Sequence, residues 1–153
     1  CPDESQLAEI GLATGLNYRK LMGEKPKIAF LSFSTKGSAS HQLVEKVQKA
    51  VKIAKERNDD LDIDGEFQVD TAINEDVAKR KLKEPSSVAG KANVLIFPDL
   101  NSGNIAYKIT QYLGKAEAYG PILQGFSKPV SDLSRGAKVK DIIITTVITC
   151  LMS

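Results

Sequence analysis

The hydrophobic residues of this chain follow two patterns that alternate along its length. Four segments carry apolar residues at helical spacing: 3–23, 41–57, 69–83 and 105–113. Three short, nearly uninterrupted apolar runs are typical of buried strands: KIAFLSFS (27–34), ANVLIFPD (92–99) and PILQGF (121–126). Short apolar strands that alternate with helices predict a largely parallel sheet covered on both faces, a three-layer α/β/α fold.

The first and last helices depend on more local arguments. Asp3 and Gln6 have the spacing of a capping box, which predicts the start of the first helix. In 139–150 the β-branched residues favour a strand, but apolar positions recur at helical spacing and the run is long for a strand. We therefore predict a helix of about 14 residues there, with Cys150 in the core. The 105–113 helix is expected to turn four side chains inward: Ile105, Ile109, Tyr112 and Leu113.

The acidic stretch NDDLDIDGE (58–66) predicts a turn, with Ile63 in a short strand at most. Its first aspartates have the spacing of a calcium-binding loop. No glutamate stands at the closing position, so we predict no calcium site.

The amino-acid composition argues against several classes of function. Of the 153 residues, 42% are hydrophobic and 26% charged, and the net charge is +2. This balance argues against nucleic-acid and membrane partners. The two cysteines, Cys1 and Cys150, have neither disulfide-framework nor metal-ligand spacing, which favours the cytoplasm and predicts no metal site. The acidic opening CPDE lacks the features of a signal peptide.

The segment KPVSDLSRG (128–136), with Asp141 shortly after it, carries the strongest candidate chemistry. Arg135 can grip a phosphate or carbonyl oxygen with two donors, and Ser134 can donate a hydrogen bond. Asp141 suits a general base, although an aspartate in the first turn of a helix also stabilises that helix through its dipole. Ser134 is not expected to act as a covalent nucleophile, because no activating base is evident nearby.

Two loops follow predicted strands, at the edge of the sheet where ligands bind in parallel α/β folds. The first is an anion-binding turn or a plain capping loop, formed by Ser34, Thr35, Lys36, Gly37 and Ser38. The second is a cleft loop or a tight turn, formed by Asn101, Ser102, Gly103 and Asn104.

Four segments in order resemble the phosphate acetyltransferase family: LSFSTKGSA (31–39), FPDLNSGN (97–104), AYGPILQG (118–125) and KPVSDLSRG (128–136). Ser131 is one departure, because the family usually has asparagine there. The resemblance implies an isocitrate/isopropylmalate dehydrogenase-like fold. It also implies that residues 1–122 form most of the family's second domain. Residues 123–153 would return to the first domain, whose N-terminal part is absent, so the chain alone should be poorly active.

The same resemblance implies acetyl transfer between acetyl phosphate and coenzyme A, by direct thiolate attack in a ternary complex. Asp141 would deprotonate the thiol, while Arg135 and Ser134 would bind the reacting groups. Coenzyme A, acetyl-CoA, acetyl phosphate and inorganic phosphate would then be substrates of a cytoplasmic homodimer without a permanently bound cofactor. Two alternatives stay open: an acetyl-CoA-sensing domain of a malic enzyme-type fusion, and a phosphate butyryltransferase.

Overall fold

The computed structural model describes all 153 residues. It contains six helices: α1 (Glu4–Met22), α2 (Gln42–Arg57), α3 (Val69–Ile73), α4 (Glu75–Lys81), α5 (Leu100–Tyr112) and α6 (Val139–Leu151). It contains five strands: β1 (Lys27–Leu31), β2 (Asp62–Phe67), β3 (Val94–Ile96), β4 (Ile122–Leu123) and β5 (Val130–Ser131).

Strands β1, β2 and β3 form one parallel sheet in the order β2-β1-β3. Ile28 in the central strand pairs with Ile63 of β2 and with Val94 of β3. This confirms the parallel sheet predicted from the apolar runs. The third run, 121–126, instead contributes the two residues of β4 to a separate antiparallel hairpin with β5.

Helices cover both faces of the three-stranded sheet. On one face, Ile28 and Phe30 of β1 pack in a core cluster with residues of α1 and α2. On the other face, Ala29 and Leu31 pack in a second cluster with residues of β2, α3 and α4. Alternate residues of β1 thus serve opposite cores, as the period of two in a strand requires. The three-layer arrangement is confirmed.

The start of helix α1 is set by a local cap, and its close packing on the sheet is allowed by two glycines. The Asp3 carboxylate accepts the Gln6 amide at 2.7 Å, and the Gln6 side chain accepts the Asp3 amide at 3.0 Å, which confirms the capping box. Gly11 and Gly15 allow close approach to β1. A Cβ at Gly11 would lie 2.3 Å from Cζ of Phe30.

Three predicted elements differ from the structure. Residues 69–83 form two short helices, because the Asn74 side chain accepts the amides of Asp76 and Val77 and starts a new helix. Strand β2 has six residues and is longer than the short strand expected around Ile63. Helix α5 begins at Leu100, so Asn101–Asn104 lie in its first turn and not in a loop.

The apolar faces of α5 and α6 are exposed, contrary to the predicted burial. Ile105, Ile109, Tyr112 and Leu113 are all exposed, and so is Cys150. Their spacing is helical as predicted, but no other element of this chain packs over them. Helix α6 has 13 residues, as expected for that run. No helix has the length and apolarity needed to cross a membrane.

Candidate active site

The loop after β1 is held against β2 by a buried carboxylate. Glu66 is only 2% exposed, and its Oε1 accepts the Ser34 hydroxyl at 2.9 Å and the Gly37 amide at 2.7 Å. Ser34 and Thr35 are also buried. The Thr35 hydroxyl accepts the amide of Gln68 at 2.9 Å and shares a hydrogen bond with Thr71. These contacts fix the loop to the end of β2.

A second carboxylate, Asp64, anchors the side chain of Lys36. The Lys36 ammonium donates to Asp64 Oδ1 at 2.6 Å and to the Gly65 carbonyl at 2.7 Å. Lys55 donates to the same carboxylate oxygen at 3.2 Å, and Ser86 donates to the other at 2.6 Å. Burial raises the pKa of Asp64, but the hydrogen bonds from Lys36 and Ser86 outweigh it, so this pKa lies below its ordinary value.

Every backbone amide from Ser34 to Ala39 already donates to an oxygen of the protein. The acceptors are the side chains of Ser32, Ser34, Ser38 and Glu66 and the carbonyls of Thr35 and Glu66. The loop therefore offers no free backbone nest for an anion. Substrate binding by Ser34, Thr35, Lys36, Gly37 and Ser38 stays a prediction. Of these five residues only Lys36, Gly37 and Ser38 are exposed.

Sequence reasoning missed Asp64 and Glu66 because the acidic stretch suggested a turn. A signal was present in the DIDGEF segment, since its carboxylates alternate with Ile63, Gly65 and Phe67. That period of two is typical of a strand that carries both carboxylates on one face.

The loop after β3 is organised by the cap of α5. The Asp99 carboxylate accepts the Ser102 amide at 2.9 Å, and this hydrogen bond holds the pKa of Asp99 below its ordinary value. Lys46 of α2 donates to the Pro98 carbonyl at 2.8 Å. The structure places the side chains of Asn101 and Asn104 in solvent, and Gly103 beside the Phe97 side chain.

The segment from Ser134 to Asp141 leaves a guanidinium, a hydroxyl proton and one carboxylate oxygen unengaged. Ser134 and Arg135 are exposed, and the Arg135 guanidinium makes no hydrogen bond or ion pair with the rest of the chain. Asp141 is the third residue of α6. Its Oδ2 accepts the Lys138 amide at 2.8 Å, and Oδ1 accepts no hydrogen bond.

Neighbouring contacts fix the position of α6. Lys140 forms an ion pair with Glu117, which also accepts the Tyr119 hydroxyl at 2.7 Å. The Lys140 contact lowers the pKa of Glu117, and the Glu117 contact raises the pKa of Lys140. On the other side, Ser131 of β5 shares a 2.7 Å hydrogen bond with Thr149.

The C-terminal segment also contacts α1. The Gln124 side chain accepts the Asn17 amide at 3.1 Å and donates to the Thr14 hydroxyl at 3.1 Å. Lys20 donates to the carbonyls of Met152 and Ser153. These contacts are polar and few, and the division of the chain near residue 122 stays a prediction.

The same arrangement of helices and strands occurs in solved structures of phosphotransacetylases. The chain is similar to the EutD phosphotransacetylase from Staphylococcus aureus, with 45% identity and a TM-score of 0.92 over 99% of this chain and 46% of that one. It is also similar to a phosphotransacetylase from Streptococcus pyogenes, with 50% identity and a TM-score of 0.92 over 98% of this chain and 45% of that one.

Sequence comparison gives the family. Residues 1–150 match the family described as phosphate acetyl/butaryl transferase, and the chain belongs to that family. It is 57% identical over 152 residues to the phosphate acetyltransferase of Acetivibrio thermocellus, covering 99% of this chain and 46% of that protein. It is 51% identical over 148 residues to the phosphate acetyltransferase of Bacillus subtilis, covering 97% of this chain and 45% of that protein. The chain thus spans about half the length of the curated relatives it matches.

Proposed function

We propose that this chain is the C-terminal part of a phosphate acetyltransferase, which moves an acetyl group between acetyl phosphate and coenzyme A. The observation that carries this proposal is the unpaired guanidinium of Arg135 beside the exposed hydroxyl of Ser134, a few residues before the Asp141 carboxylate. A cation without a protein partner is available to a phosphate or to a developing oxyanion. The names of the relatives support the same reaction.

The proposed reaction is direct transfer in a ternary complex. Asp141 takes the proton of the coenzyme A thiol, and the thiolate then attacks the carbonyl carbon of acetyl phosphate. The new bond joins sulfur to carbon, and the bond between that carbon and the phosphate oxygen breaks, which releases inorganic phosphate. Because Oδ2 of Asp141 accepts the Lys138 amide and Oδ1 is unengaged, one carboxylate can remain a helix cap and still accept a proton.

Arg135 and Ser134 serve the other reactant in this proposal. Arg135 neutralises the charge that develops on the acetyl phosphate oxygens, and its planar fork can hold two of them. The Ser134 oxygen accepts only the Gly136 amide, at 3.4 Å, so its hydroxyl proton is free to donate to the reacting group. Neither step requires a metal ion or a permanently bound cofactor.

The quaternary arrangement belongs to the same proposal. Helix α6 leaves Ile142, Ile143 and Val147 exposed directly after Asp141, and we assign this face to the half of the enzyme outside this chain. A separate stripe on α5, formed by Ile105, Ile109 and Leu113, is assigned to a second copy, giving a homodimer. Sedimentation of the full-length protein tests this, since Ile109→Lys should shift it to a monomer. We place the enzyme in the cytoplasm, which fits its unpaired cysteines.

Three substitutions in the full-length protein test the reaction. Asp141→Asn keeps a side-chain oxygen for the Lys138 amide but removes the base, so turnover should fall by about 10²–10⁴-fold. The Michaelis constant for coenzyme A should change little. Arg135→Gln should lower turnover and weaken acetyl phosphate binding. Ser134→Ala should be the mildest, because only one hydrogen bond is lost.

Asp76→Asn is the matched control. Asp76 is an exposed carboxylate in the first turn of α4, so this change removes a helix-dipole interaction without touching the proposed site. Its turnover should equal that of the parent enzyme. Normal turnover in Asp141→Asn would eliminate the proposed base. An acyl group trapped on Ser134 would replace direct transfer with covalent catalysis.

A further inference from the structure

The three-stranded sheet has a topological switch point between β1 and β3. The chain leaves β1 for α2, which packs on the face that carries Ile28 and Phe30. It leaves β3 for α5, whose Gly103 faces Phe97 on the opposite side of the sheet. The loops that follow β1 and β3 therefore diverge at a switch point, where parallel α/β folds have a crevice beyond the carboxyl ends of the strands. Ligands of parallel α/β folds bind at such a crevice.

One aromatic side chain lies exposed at this edge of the sheet. Phe33 follows β1 by two residues, and 54% of its surface is exposed. The buried Ser34 and Thr35 next to it hold the backbone in place. An exposed phenylalanine loses the stabilisation that burial would give. A fixed, exposed ring is what a stacking surface requires.

The His41 imidazole lies beside Phe33, and the two ring centroids are 6.0 Å apart in an edge-on arrangement. His41 is the N-cap of α2, and its Nδ1 accepts the Leu43 amide at 3.1 Å. The imidazole is thereby fixed through one nitrogen, and its other nitrogen stays at the surface. Lys46, five residues further along the chain in α2, connects this helix to the β3 loop through the Pro98 carbonyl. Both sides of the crevice are thus held together.

We propose that Phe33, supported by His41, is the stacking platform for the adenine ring of coenzyme A. This inference rests on the proposed function, because it requires coenzyme A as a substrate. Every base has an aromatic face, and stacking on a protein side chain requires no particular hydrogen-bond pattern. The platform lies on the sheet edge, whereas Ser134, Arg135 and Asp141 follow the β4–β5 hairpin. Phe33 would bind the nucleotide end of coenzyme A, and those residues would act on its thiol end.

The test is Phe33→Ala in the full-length protein, with coenzyme A and with pantetheine as acetyl acceptors. Pantetheine carries the thiol but has no adenine. The Michaelis constant for coenzyme A should rise about 5- to 150-fold, the range of a lost base–aromatic stack. Turnover and the constants for acetyl phosphate and pantetheine should not change. Phe33→Tyr, which keeps a ring, should restore coenzyme A binding.

Phe126→Ala is the matched control, since Phe126 is also an exposed phenylalanine but lies between β4 and β5. It should leave the Michaelis constant for coenzyme A unchanged. An equal rise in the Michaelis constants for coenzyme A and pantetheine would give Phe33 a structural role and contradict the proposal. A fall of several degrees in the melting temperature of both Phe33 variants would do the same. Absence of acetyl transfer in the unsubstituted protein would instead overturn the proposed function.

Discussion

Replacing Asp64 by asparagine tests the ion-pair cluster that holds the β1 loop. The side chain of Asp64 is 12% exposed, while those of Lys36 and Lys55 are 43% and 50% exposed. Asparagine has the same shape and can still accept the Ser86 hydroxyl. What it removes is the charge that both ammonium groups contact, at 2.6 and 3.2 Å.

The expected loss of stability follows from these exposures. Both lysines can return to water, so neither becomes a buried unpaired charge, and the cost falls below the 3–5 kcal/mol of a fully buried pair. The short Lys36 hydrogen bond to a charged acceptor contributes about 1.5 kcal/mol, and the more exposed Lys55 pair less than about 1 kcal/mol. We therefore expect a loss of about 2 kcal/mol, which lowers the melting temperature by about 4–8 °C for a chain of this size.

The pH dependence of this loss has a definite sign. The pKa of Asp64 is lower in the folded chain than its ordinary value of 3.8. A lowered carboxyl pKa stabilises the fold above the unfolded pKa, and this stabilisation disappears as the pH falls through the folded pKa. The difference between the parent chain and Asp64→Asn should be complete at pH 7 and shrink below about pH 4.

Urea unfolding followed by circular dichroism measures both effects. Asp70→Asn is the matched control, because Asp70 pairs with Lys81 at 2.8 Å while its side chain is 50% exposed. An exposed ion pair contributes less than about 1 kcal/mol. If Asp64→Asn destabilises the chain no more than Asp70→Asn, or if its effect is the same at pH 3 and pH 7, the cluster does not hold the loop.

Two further predictions concern the helix on the sheet and the activity of the chain. Gly11→Ala should destabilise the fold by about 1–3 kcal/mol in urea unfolding, because the rigid ring of Phe30 blocks the new methyl group. Gly15→Ala should cost less, since it meets the end of the Ile28 side chain, which can rotate. The purified chain alone should form acetyl-CoA at least about 10²-fold more slowly than the full-length protein, because one wall of a cleft cannot position both reactants. Comparable rates would refute the two-wall arrangement.

The elements that the sequence predicted well are those whose signals lie within the element. Helix α1 carries its own capping box and ends at Gly23, where the backbone adopts a left-handed conformation. Strands β1 and β3 are short apolar runs. Each of these features depends only on residues that are close in sequence, so the sequence pattern is sufficient to predict it.

The elements that the sequence predicted poorly depend on distant partners. The acidic stretch that contains Asp64 and Glu66 resembles a turn in the sequence. The residues that contact these two carboxylates are Lys36, Ser86 and Ser34, which lie in loops 22 to 32 residues away. The helical spacing of α5 and α6 was predicted, but spacing shows only that a face is apolar. It does not show which element, or which other part of the protein, covers that face.

The two halves of the proposed site differ in a way that suits their proposed roles. The β1 loop has its amides, its buried hydroxyls and its lysine engaged within the protein, which makes it a rigid frame. The Ser134–Asp141 segment keeps a guanidinium, a hydroxyl proton and a carboxylate oxygen unengaged. A rigid frame places a stacking surface without loss of conformational entropy on binding, whereas free polar groups are needed where charge develops. Removing Phe33 should therefore affect binding, and removing Asp141 should affect turnover. Measuring the Michaelis constant for coenzyme A and the turnover rate of Phe33→Ala and Asp141→Asn separates the two roles.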